Sequence, residues 1–476
     1  MARVLLCTTP WQPFHTLRML FPEISPHGLQ ILAAVLRRAG HEVRIADIQH
    51  LPPLHPSFVA TFDAFAPDVV GFTNNCLPNT PVILHVAREL KRRRPGLRLM
   101  VGGQVPTSRP AFFVGGEHPV FDAAGQGEGE PLIADLVAAL LGQRPLASVP
   151  GLALPDGHGG VTLTAPAGGV VDLDAEPLPE WAGTLKPALY GPGLAAPVET
   201  ARGCPYRCSF CSIPGYFGRA PRRKSVGRIL AELRHLKSLG VQEISFIDDS
   251  FATDLERARQ LFQAMIDEDL GLRFGVQIRA DIVAQNPELM ALAARAGLIL
   301  AVVGFEGYTE GVLHEARKGS SRGLNERASR TLRSHGVCVY GTHLFGGPDA
   351  TWRDNLRTFW RGRFNSDVFR MTIFTPLLGS QLFDDLEREG RIRTHDPREY
   401  YYGSYVIEDG SNPRAVQAGY FGLQALHYLL PDTLLKALAH PNPVVRSFNR
   451  RAYRGAADFV LGQLRARLTP RAKEAP

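Results

Sequence analysis

The chain has 476 residues, of which 45% are hydrophobic and 21% charged, and this balance is typical of a globular protein with two or three domains. The net charge is +7, but no RNA-binding signature accompanies the arginines, so a nucleic-acid partner is not expected. No apolar stretch approaches the roughly 20 residues that span a bilayer, and the six cysteines fit a reducing compartment. We therefore expect a cytoplasmic protein without a transmembrane segment.

Strands and helices alternate through the first 143 residues. The periodicity predicts strands at 3–8, 42–47, 68–73, 97–101 and 120–123, and helices at 27–39, 80–91 and 131–141. This order predicts a parallel, doubly wound, flavodoxin-like α/β sheet, which binds ligands beyond the carboxyl ends of its strands. The loops at that edge are 8–14, 73–78, 102–107 and 125–130. They contain the candidate ligand-binding residues Thr73, Asn74, Gly102, Gly103, Gln104, Gly125, Gly127 and Glu128.

Residues 144–197 are rich in Pro and Gly and are predicted to be a linker with a small hairpin near 155–160. From 198 to 390 the alternation returns, with strands predicted at 198–200, 243–247, 273–278, 300–305, 338–345 and 368–374. Helices are predicted between them, including one at 287–296, so six βα units form a partial barrel that carries its chemistry at the carboxyl ends of the strands. Residues 391–476 are predicted to be a helical region, and its tyrosines at 400–402 and 405 either lie on the surface or line a substrate mouth.

Cys204, Cys208 and Cys211 stand close together just after the first predicted barrel strand. A structural zinc site requires four ligands, and the next Cys or His in the chain is His235. The other three cysteines, at 7, 76 and 338, lie in apolar runs typical of buried small side chains. Iron–sulfur cubanes take one thiolate per iron, so three thiolates predict a [4Fe-4S] cluster with one iron open to a substrate.

The run Arg202-Gly-Cys-Pro-Tyr-Arg-Cys-Ser-Phe-Cys211 resembles the signature of radical S-adenosylmethionine (SAM) enzymes, with Phe210 as its aromatic residue. The segments 26–29, 101–104 and 125–130 resemble those of the class B branch, which carries a cobalamin-binding domain ahead of the radical domain. The resemblance covers roughly residues 1–390. It implies that cobalamin binds the loops of the first domain, unless that domain is vestigial. The Asp-x-His-x-x-Gly motif of His-ligated corrinoid proteins is absent, which leaves the lower ligand open.

Several polar residues at predicted strand ends are candidates for holding SAM. Asp248 and Asp249 follow the second barrel strand, where either one binds the SAM ammonium or caps the next helix. Arg279 follows the third strand and either holds a SAM carboxylate or ribose hydroxyl or pairs with Asp281. Glu306 ends a very apolar strand, which favours a role in the site. Gly346 belongs to a segment that resembles the family's glycine-rich fifth strand, whose backbone lies along the adenine.

The resemblance implies a cobalamin-dependent methyltransferase that acts on an unactivated carbon through a 5′-deoxyadenosyl radical. The alternative is an oxidative cyclase or ring-rearranging enzyme of the anaerobic magnesium-protoporphyrin monomethyl ester cyclase type. An RNA-modifying enzyme would need an RNA-binding module and often a second cysteine cluster, and the sequence contains neither. The expected partners are a small molecule, which is lipid-like, a tetrapyrrole or a natural-product intermediate, and an electron donor such as flavodoxin or ferredoxin.

Overall fold

The computed structural model describes residues 1–10, 25–181, 183–188, 193–348 and 350–468, so residues 11–14 of the first predicted loop lie outside the described residues. Seven strands form the first sheet in this part of the chain: β1 (Arg3–Cys7), β2 (Glu42–Ala46), β3 (Val69–Thr73), β4 (Arg98–Gly102), β5 (Ala123–Gly125), β6 (Leu152–Pro155) and β7 (Val161–Leu163). Their order is β2-β1-β3-β4-β5-β6-β7, and β1 to β5 run parallel. The flavodoxin-like prediction is therefore confirmed.

Helices cover both faces of this sheet: α1 (His27–Arg38), α2 (Pro56–Phe65), α3 (Thr80–Arg93), α4 (Gln104–Ser108), α5 (Ala111–Val114) and α6 (Ile133–Leu140). Helices α1 and α6 bury leucines and valines against one face, and α2 and α3 bury phenylalanines and aliphatic side chains against the other. Because both faces are covered, the strands can be apolar on both sides.

The second sheet curls into a partial barrel. Its strands are β8 (Lys186–Pro187), β9 (Leu194–Val198), β12 (Val241–Phe246), β13 (Arg273–Arg279), β14 (Leu298–Glu306), β15 (Cys338–Phe345) and β16 (Val368–Ile373), and β10 (Ala201–Arg202) pairs separately with β11 (Arg222–Arg223). The order is β16-β15-β14-β13-β12-β9-β8, with β9 and β12 to β16 parallel and β8 antiparallel. The six parallel strands confirm the predicted partial barrel.

Helices follow the strands of the second sheet and then continue beyond it. They are α7 (Ile213–Phe217), α8 (Val226–Ser238), α9 (Leu255–Asp267), α10 (Ala280–Gln285), α11 (Pro287–Ala296), α12 (Glu310–Glu315), α13 (Arg322–Ser334), α14 (Trp352–Asn365), α15 (Gln381–Arg388), α16 (Pro413–Leu429), α17 (Pro431–Ala439) and α18 (Pro443–Leu468). In the described residues no helix is long and apolar enough to cross a membrane.

Two predicted strands have different bounds in the structure. The fifth strand lies at β5 and not at 120–123, because Phe121 packs its ring against Phe72 and Phe113 ahead of the strand. The first barrel strand is β9 and not 198–200. Pro197 was interpreted as a boundary, but β8 pairs only with Leu194 and Ala195, so the missing N–H of this proline costs no bond to β8.

Helix α2 was not predicted, although its buried phenylalanines at 58, 62 and 65 have helical spacing. The predicted hairpin exists as β6 and β7, and β6 pairs with β5, so the hairpin extends the first sheet. The domain boundaries after 143, 197 and 390 stay predictions.

Candidate active site

The three clustered cysteines lie on the loop that follows β10, at the carboxyl edge of the barrel. Their thiols are free and half-buried, and the N–H of Cys211 donates to the carbonyl of Cys208 at 3.3 Å. Burial raises the pKa of Cys204, and it raises that of Cys211 to about 12, with a smaller contribution from the neighbouring thiolates. In the described residues no three His, Cys, Asp or Glu side chains are already arranged around a metal position. The role of these cysteines as cluster ligands stays a prediction.

Asp248 and Asp249 accept hydrogen bonds from the backbone that leads into this loop. The carboxylate of Asp248 accepts hydrogen bonds from the N–H groups of Thr200 at 2.6 Å and Ala201 at 3.2 Å, and Asp249 accepts one from the N–H of Gly203 at 3.2 Å. Burial raises the pKa of Asp249 to about 6. Neither residue caps α9, because Asp254 accepts the hydrogen bond from the N–H of Arg257 at that helix start. The helix-cap alternative is therefore wrong for both aspartates.

Arg279 joins the barrel to the cysteine loop. Its guanidinium lies 2.7 Å from the carboxylate of Asp281, donates to the Cys208 sulfur at 3.7 Å and stacks on the ring of Tyr206 at 3.7 Å. It also donates to the carbonyl of Lys318. The predicted ion pair with Asp281 is therefore present, and the same side chain contacts a predicted cluster ligand.

Glu306 ends β14 in a left-handed backbone conformation, with φ of 58°. Its carboxylate forms a buried ion pair with Lys318. The next strand leads to Gly346, which has φ of 65° and donates its N–H to the side chain of Asn355 at 2.8 Å. Both residues therefore lie at the carboxyl edge of neighbouring strands, where a cofactor is expected.

A cavity of about 400 Å³ lies between the carboxyl edge of the first sheet and the barrel loops. Of the predicted ligand-binding residues, seven line it: Thr73, Gly102, Gly103, Gln104, Gly125, Gly127 and Glu128. Asn74 does not line it; it is buried beneath the loop, where it donates to Thr80 at 3.0 Å and accepts from the N–H of Cys76 at 3.2 Å. The cavity continues between α1 and α6 as an apolar slot, and its far wall includes Glu199, Arg202, Tyr216 and Asp249.

Gly103 cannot carry a side chain without disturbing this cavity. Its φ is 107°, and a Cβ atom would lie 2.5 Å from Asn75 Oδ1 and 2.7 Å from the Asn74 carbonyl oxygen. We expect Gly103→Ala to lower the free energy of unfolding by about 1–3 kcal/mol, measured by urea denaturation, because the substitution adds backbone strain and a clash. Gly102→Ala is the matched control, since nothing lies within 4 Å of its added Cβ. Equal stability of the two variants would contradict the prediction.

Arg202 is the centre of a buried ion-pair network that connects both sheets. It lies 2.7 Å from Glu128, 2.8 Å from Glu130, 3.0 Å from Glu176 and 2.8 Å from Glu199. Arg222 supplies a second cation, 2.8 Å from Glu128. Because Glu128 and Glu130 follow β5 whereas Glu199 follows β9, this network holds the cavity loop of the first sheet against the start of the cysteine loop.

Burial raises the pKa of Glu176 to about 8 and that of Glu199 to about 7. Four carboxylates surround the single guanidinium of Arg202, so buried carboxylates there retain protons at a higher pH than exposed ones do. The folded protein therefore binds more of these protons than the unfolded chain, and this contribution to stability is lost as the pH rises through the folded-state pKa values. We expect the unfolding free energy to fall between about pH 6.5 and 8.5.

Glu176→Gln tests this prediction, because an amide cannot lose the proton. The fall in stability over that pH range, measured by denaturant titration, is expected to be smaller in the variant than in the unmodified chain. Burial also lowers the pKa of His27, His343 and His427, but both chains contain these histidines, so their contribution cancels in the comparison. An equally steep fall in the variant would show that Glu176 does not carry the effect.

Cys76 departs from the expectation that it is buried. Cys7 and Cys338 are buried as expected, but the Cys76 side chain is exposed. Desolvation by the surrounding protein nevertheless raises the pKa of its thiol. Tyr402 lies within electrostatic range of both Cys76 and Cys211, whereas Tyr400 and Tyr405 are buried in the core. Tyr401 and Tyr402 are half-buried, so the substrate-mouth alternative stays open for these two tyrosines.

Two parts of the chain match known families. Residues 20–137 match the B12 binding domain, and residues 198–359 match the Radical SAM superfamily. The chain is 30% identical over 391 residues to the hopanoid C-3 methylase of Methylococcus capsulatus, which covers 80% of this chain and 72% of that protein. The chain belongs to the cobalamin-dependent radical SAM enzymes.

The chain is also similar to a cyclase and to two enzymes of known structure. The chain is 27% identical over 409 residues to the anaerobic magnesium-protoporphyrin IX monomethyl ester cyclase of Synechocystis, covering 85% of this chain and 81% of the cyclase. The solved structure of the methyltransferase TsrM from Kitasatospora setae, with cobalamin and a [4Fe-4S] cluster, matches with a TM-score of 0.70 and 17% identity, covering 96% of this chain and all of TsrM. The solved structure of OxsB, with aqua-cobalamin and SAM, matches with a TM-score of 0.73 and 17% identity, covering 97% of this chain and 72% of OxsB. These two likenesses show a shared fold.

As a cobalamin-dependent radical SAM enzyme, the protein uses a [4Fe-4S] cluster, SAM and cobalamin. The residues present fit these groups. Three free thiols share one loop, and Gly103, which lines the cavity, has no room for a Cβ. His27 lines the same cavity, and neither of its buried ring nitrogens has a hydrogen-bond partner among the described residues. A polar ligand would satisfy such a ring.

The residues that connect the two sheets were not predicted from the sequence. Arg202 was quoted only as part of the radical SAM signature, and Glu176 lies in the predicted linker. Lys318, which forms the ion pair with Glu306, was also not predicted. No local pattern indicated this role for Arg202, because its four carboxylate partners come from three separate segments of the chain.

Proposed function

We propose that the protein methylates an unactivated carbon of a small apolar molecule, most specifically a polycyclic lipid of the hopanoid class. The observation that carries this proposal is the 30% identity to a hopanoid C-3 methylase, which extends through both the B12-binding and radical SAM regions. When bound, SAM at the reduced cluster supplies a radical that removes hydrogen from an inert carbon, and cobalamin supplies the methyl group.

In this proposal, separate groups of residues hold the cluster, SAM and cobalamin. Cys204, Cys208 and Cys211 hold the cluster, and Phe210 supports their loop by packing against Phe374 with ring centroids 6.0 Å apart. Arg279 orients the loop through its contact with Cys208.

The SAM site is proposed beside this loop. Asp249, which lines the cavity and has one hydrogen bond from Gly203, accepts the SAM ammonium. Asp248 supports this site without contacting SAM, because its carboxylate already accepts hydrogen bonds from the backbone N–H groups of residues 200 and 201. Gly346 lets the backbone approach the adenine, and the ion pair of Glu306 with Lys318 fixes the neighbouring strand end.

The corrin site is proposed on the first sheet. Its wall consists of seven cavity-lining residues from three loops: Thr73, Gly102, Gly103, Gln104, Gly125, Gly127 and Glu128. Asn74 supports the first of these loops from inside through its hydrogen bond with the N–H of Cys76. The apolar slot between α1 and α6 accepts the buried part of the cofactor. A reduced flavodoxin or ferredoxin in the cytoplasm is the proposed electron donor.

An oxidative cyclase is the second candidate, favoured by the 27% identity to the Synechocystis enzyme over 85% of this chain. Anaerobically reconstituted protein, supplied with reductant, SAM carrying a deuterated methyl group and a detergent-solubilised hopanoid, separates the two. Methylation predicts S-adenosylhomocysteine, 5′-deoxyadenosine and a lipid product that carries the labelled methyl group. With magnesium-protoporphyrin monomethyl ester as substrate, formation of 5′-deoxyadenosine without S-adenosylhomocysteine would overturn the methyltransferase proposal in favour of the cyclase.

A further inference from the structure

Large apolar side chains are exposed mainly on one side of this protein. Of the fifteen in the described residues, eight lie on or directly beside α14, α16 and α17: Trp352, Trp360, Phe364, Phe421, Leu429, Leu434, Leu435 and Leu438. We call these three helices the outer helical face. Scattered exposed leucines are normal on protein surfaces, but such a concentration marks an interaction surface.

The helices of this face are neighbours in space. The guanidinium of Arg363 on α14 lies 2.5 Å from the carboxylate of Asp432 on α17 and donates to Thr433 at 3.1 Å. Lys436 of α17 donates back to the carbonyl of Ser366 at 2.9 Å. Trp360, Phe364, Leu430 and Lys436 also line one open groove of about 1130 Å³. The apolar side chains therefore form one face and not separate spots.

Helix α17 shows how the face is built. Thr433 and Ala437 are buried against the protein, whereas Leu434, Leu435 and Leu438 point away from it. Leu435 and Leu438 have exposed fractions of 60% and 59%. A soluble helix normally places its leucines inward, so α17 has apolar side chains on the side where polar ones are expected.

Cationic side chains accompany these apolar ones. On α14 the exposed residues Arg353, Arg357, Trp360, Arg361 and Phe364 follow helical spacing, so arginines and aromatic rings share one side of the helix. Arg450 of α18 donates to the carbonyl of Ala437 at 2.8 Å, which places its charge at the end of α17. Aromatic rings and arginines with long aliphatic stems are the side chains that lie at a membrane–water interface.

The segment that contains α16 and α17 is strongly cationic, and its described side chains at 411–457 include six Lys or Arg and one Asp. Residues 411–476 contain ten Lys or Arg and three Asp or Glu, so their net charge of +7 equals that of the entire chain. The first 410 residues are therefore neutral overall. Within α16 there is no acidic residue, and the single acidic residue of α17, Asp432, is paired with Arg363. A surface that is apolar at its centre and cationic around it is complementary to an anionic lipid bilayer.

We propose that the outer helical face docks the protein peripherally on an anionic lipid surface. The exposed leucines and aromatic rings enter the interface, and the arginines around them contact lipid phosphates. The groove lined by Trp360 and Phe364 adjoins residues that precede β15 and β16, so the docked side extends toward the amino end of the barrel and leaves the cysteine loop at the opposite edge free. This inference goes beyond the proposed reaction and does not depend on the identity of the substrate.

Vesicle sedimentation with the full chain tests the proposal without any substrate. We expect the protein to sediment with vesicles of phosphatidylcholine mixed with phosphatidylglycerol, to bind phosphatidylcholine alone more weakly, and to be released by high salt. The double variant Leu435→Glu/Leu438→Glu is expected to lower the partition coefficient by about tenfold or more, because it replaces inserted apolar groups with repelled charges. Both side chains are largely exposed, so the variant is expected to fold.

The matched control is Leu163→Glu/Val170→Glu, which introduces the same charges at side chains 63% and 76% exposed, away from this face. Retained binding by the control and loss by the first variant support the proposal. Absence of vesicle binding, or equal loss in both variants, overturns it. A dimer in light scattering that the first variant dissociates, without vesicle binding, also overturns it and assigns the face to a second copy of the chain.

Discussion

Cys208→Ala is expected to abolish SAM cleavage and to remove the iron–sulfur chromophore from anaerobically reconstituted protein. A cubane on three thiolates that loses one of them has two irons without a protein ligand, and the two remaining cysteines lie on a loop whose turn passes through the Cys208 carbonyl. The Arg279 guanidinium would also lose its contact with the sulfur. The measurements are iron and sulfide content, the visible absorption spectrum and 5′-deoxyadenosine formation under reduction.

Cys338→Ala is the control, because Cys338 is a fully buried thiol on β15 away from the loop. It is expected to retain the iron content and SAM cleavage of the unmodified chain. Full iron content and SAM cleavage in Cys208→Ala would contradict the assignment of the cysteine loop, and with it the proposed radical chemistry.

Arg202→Met is expected to lower the free energy of unfolding by about 3–5 kcal/mol, because removal of one partner from a buried ion-pair network leaves uncompensated charge. Arg202 contacts Glu128, Glu130, Glu176 and Glu199, and its side chain is 5% exposed. Methionine keeps much of the volume and removes the charge. Denaturant titration at one pH gives the change in stability.

The same variant is expected to retain less cobalamin, since the loop with Glu128 loses its anchor to the start of the cysteine loop. Corrin absorbance per protein after gel filtration measures this loss. Arg234→Met is the control, because Arg234 forms an exposed ion pair with Glu268 and such pairs contribute little. A stability loss in Arg202→Met no larger than that in the control would contradict a structural role for the network.

The sequence predicted most of the secondary structure because the signals were local. The helix predicted at 287–296 is α11 with the same ends, since a proline begins it and a glycine follows it. Predictions failed where tertiary packing replaced the local rule. Phe121 is as apolar as a strand residue but packs from a loop, and β9 contains a proline because its neighbour β8 is too short to require that N–H.

The candidate site divides in the same way. The cysteine spacing and the glycine-rich loops could be read directly, because a cluster ligand set and a close backbone approach each require particular residues within a few positions. The alternatives for Asp248 and Asp249 could not be resolved, because their partners at 200, 201 and 203 belong to another strand end. The exposure of Cys76 could likewise not be predicted, since it depends on how the loop after β3 packs in the folded protein.

By itself, the sequence determined the order of the two α/β units and the chemistry that the cysteine loop supports, because short-range patterns of apolar residues, glycines and thiols specify both. Only the tertiary structure decided that Arg202 unites carboxylates at 128, 130, 176 and 199, and that three helices share one exposed apolar and cationic face. Ion pairs and surface faces form between residues that are distant along the chain. Their existence depends on how the units pack, which no local pattern encodes.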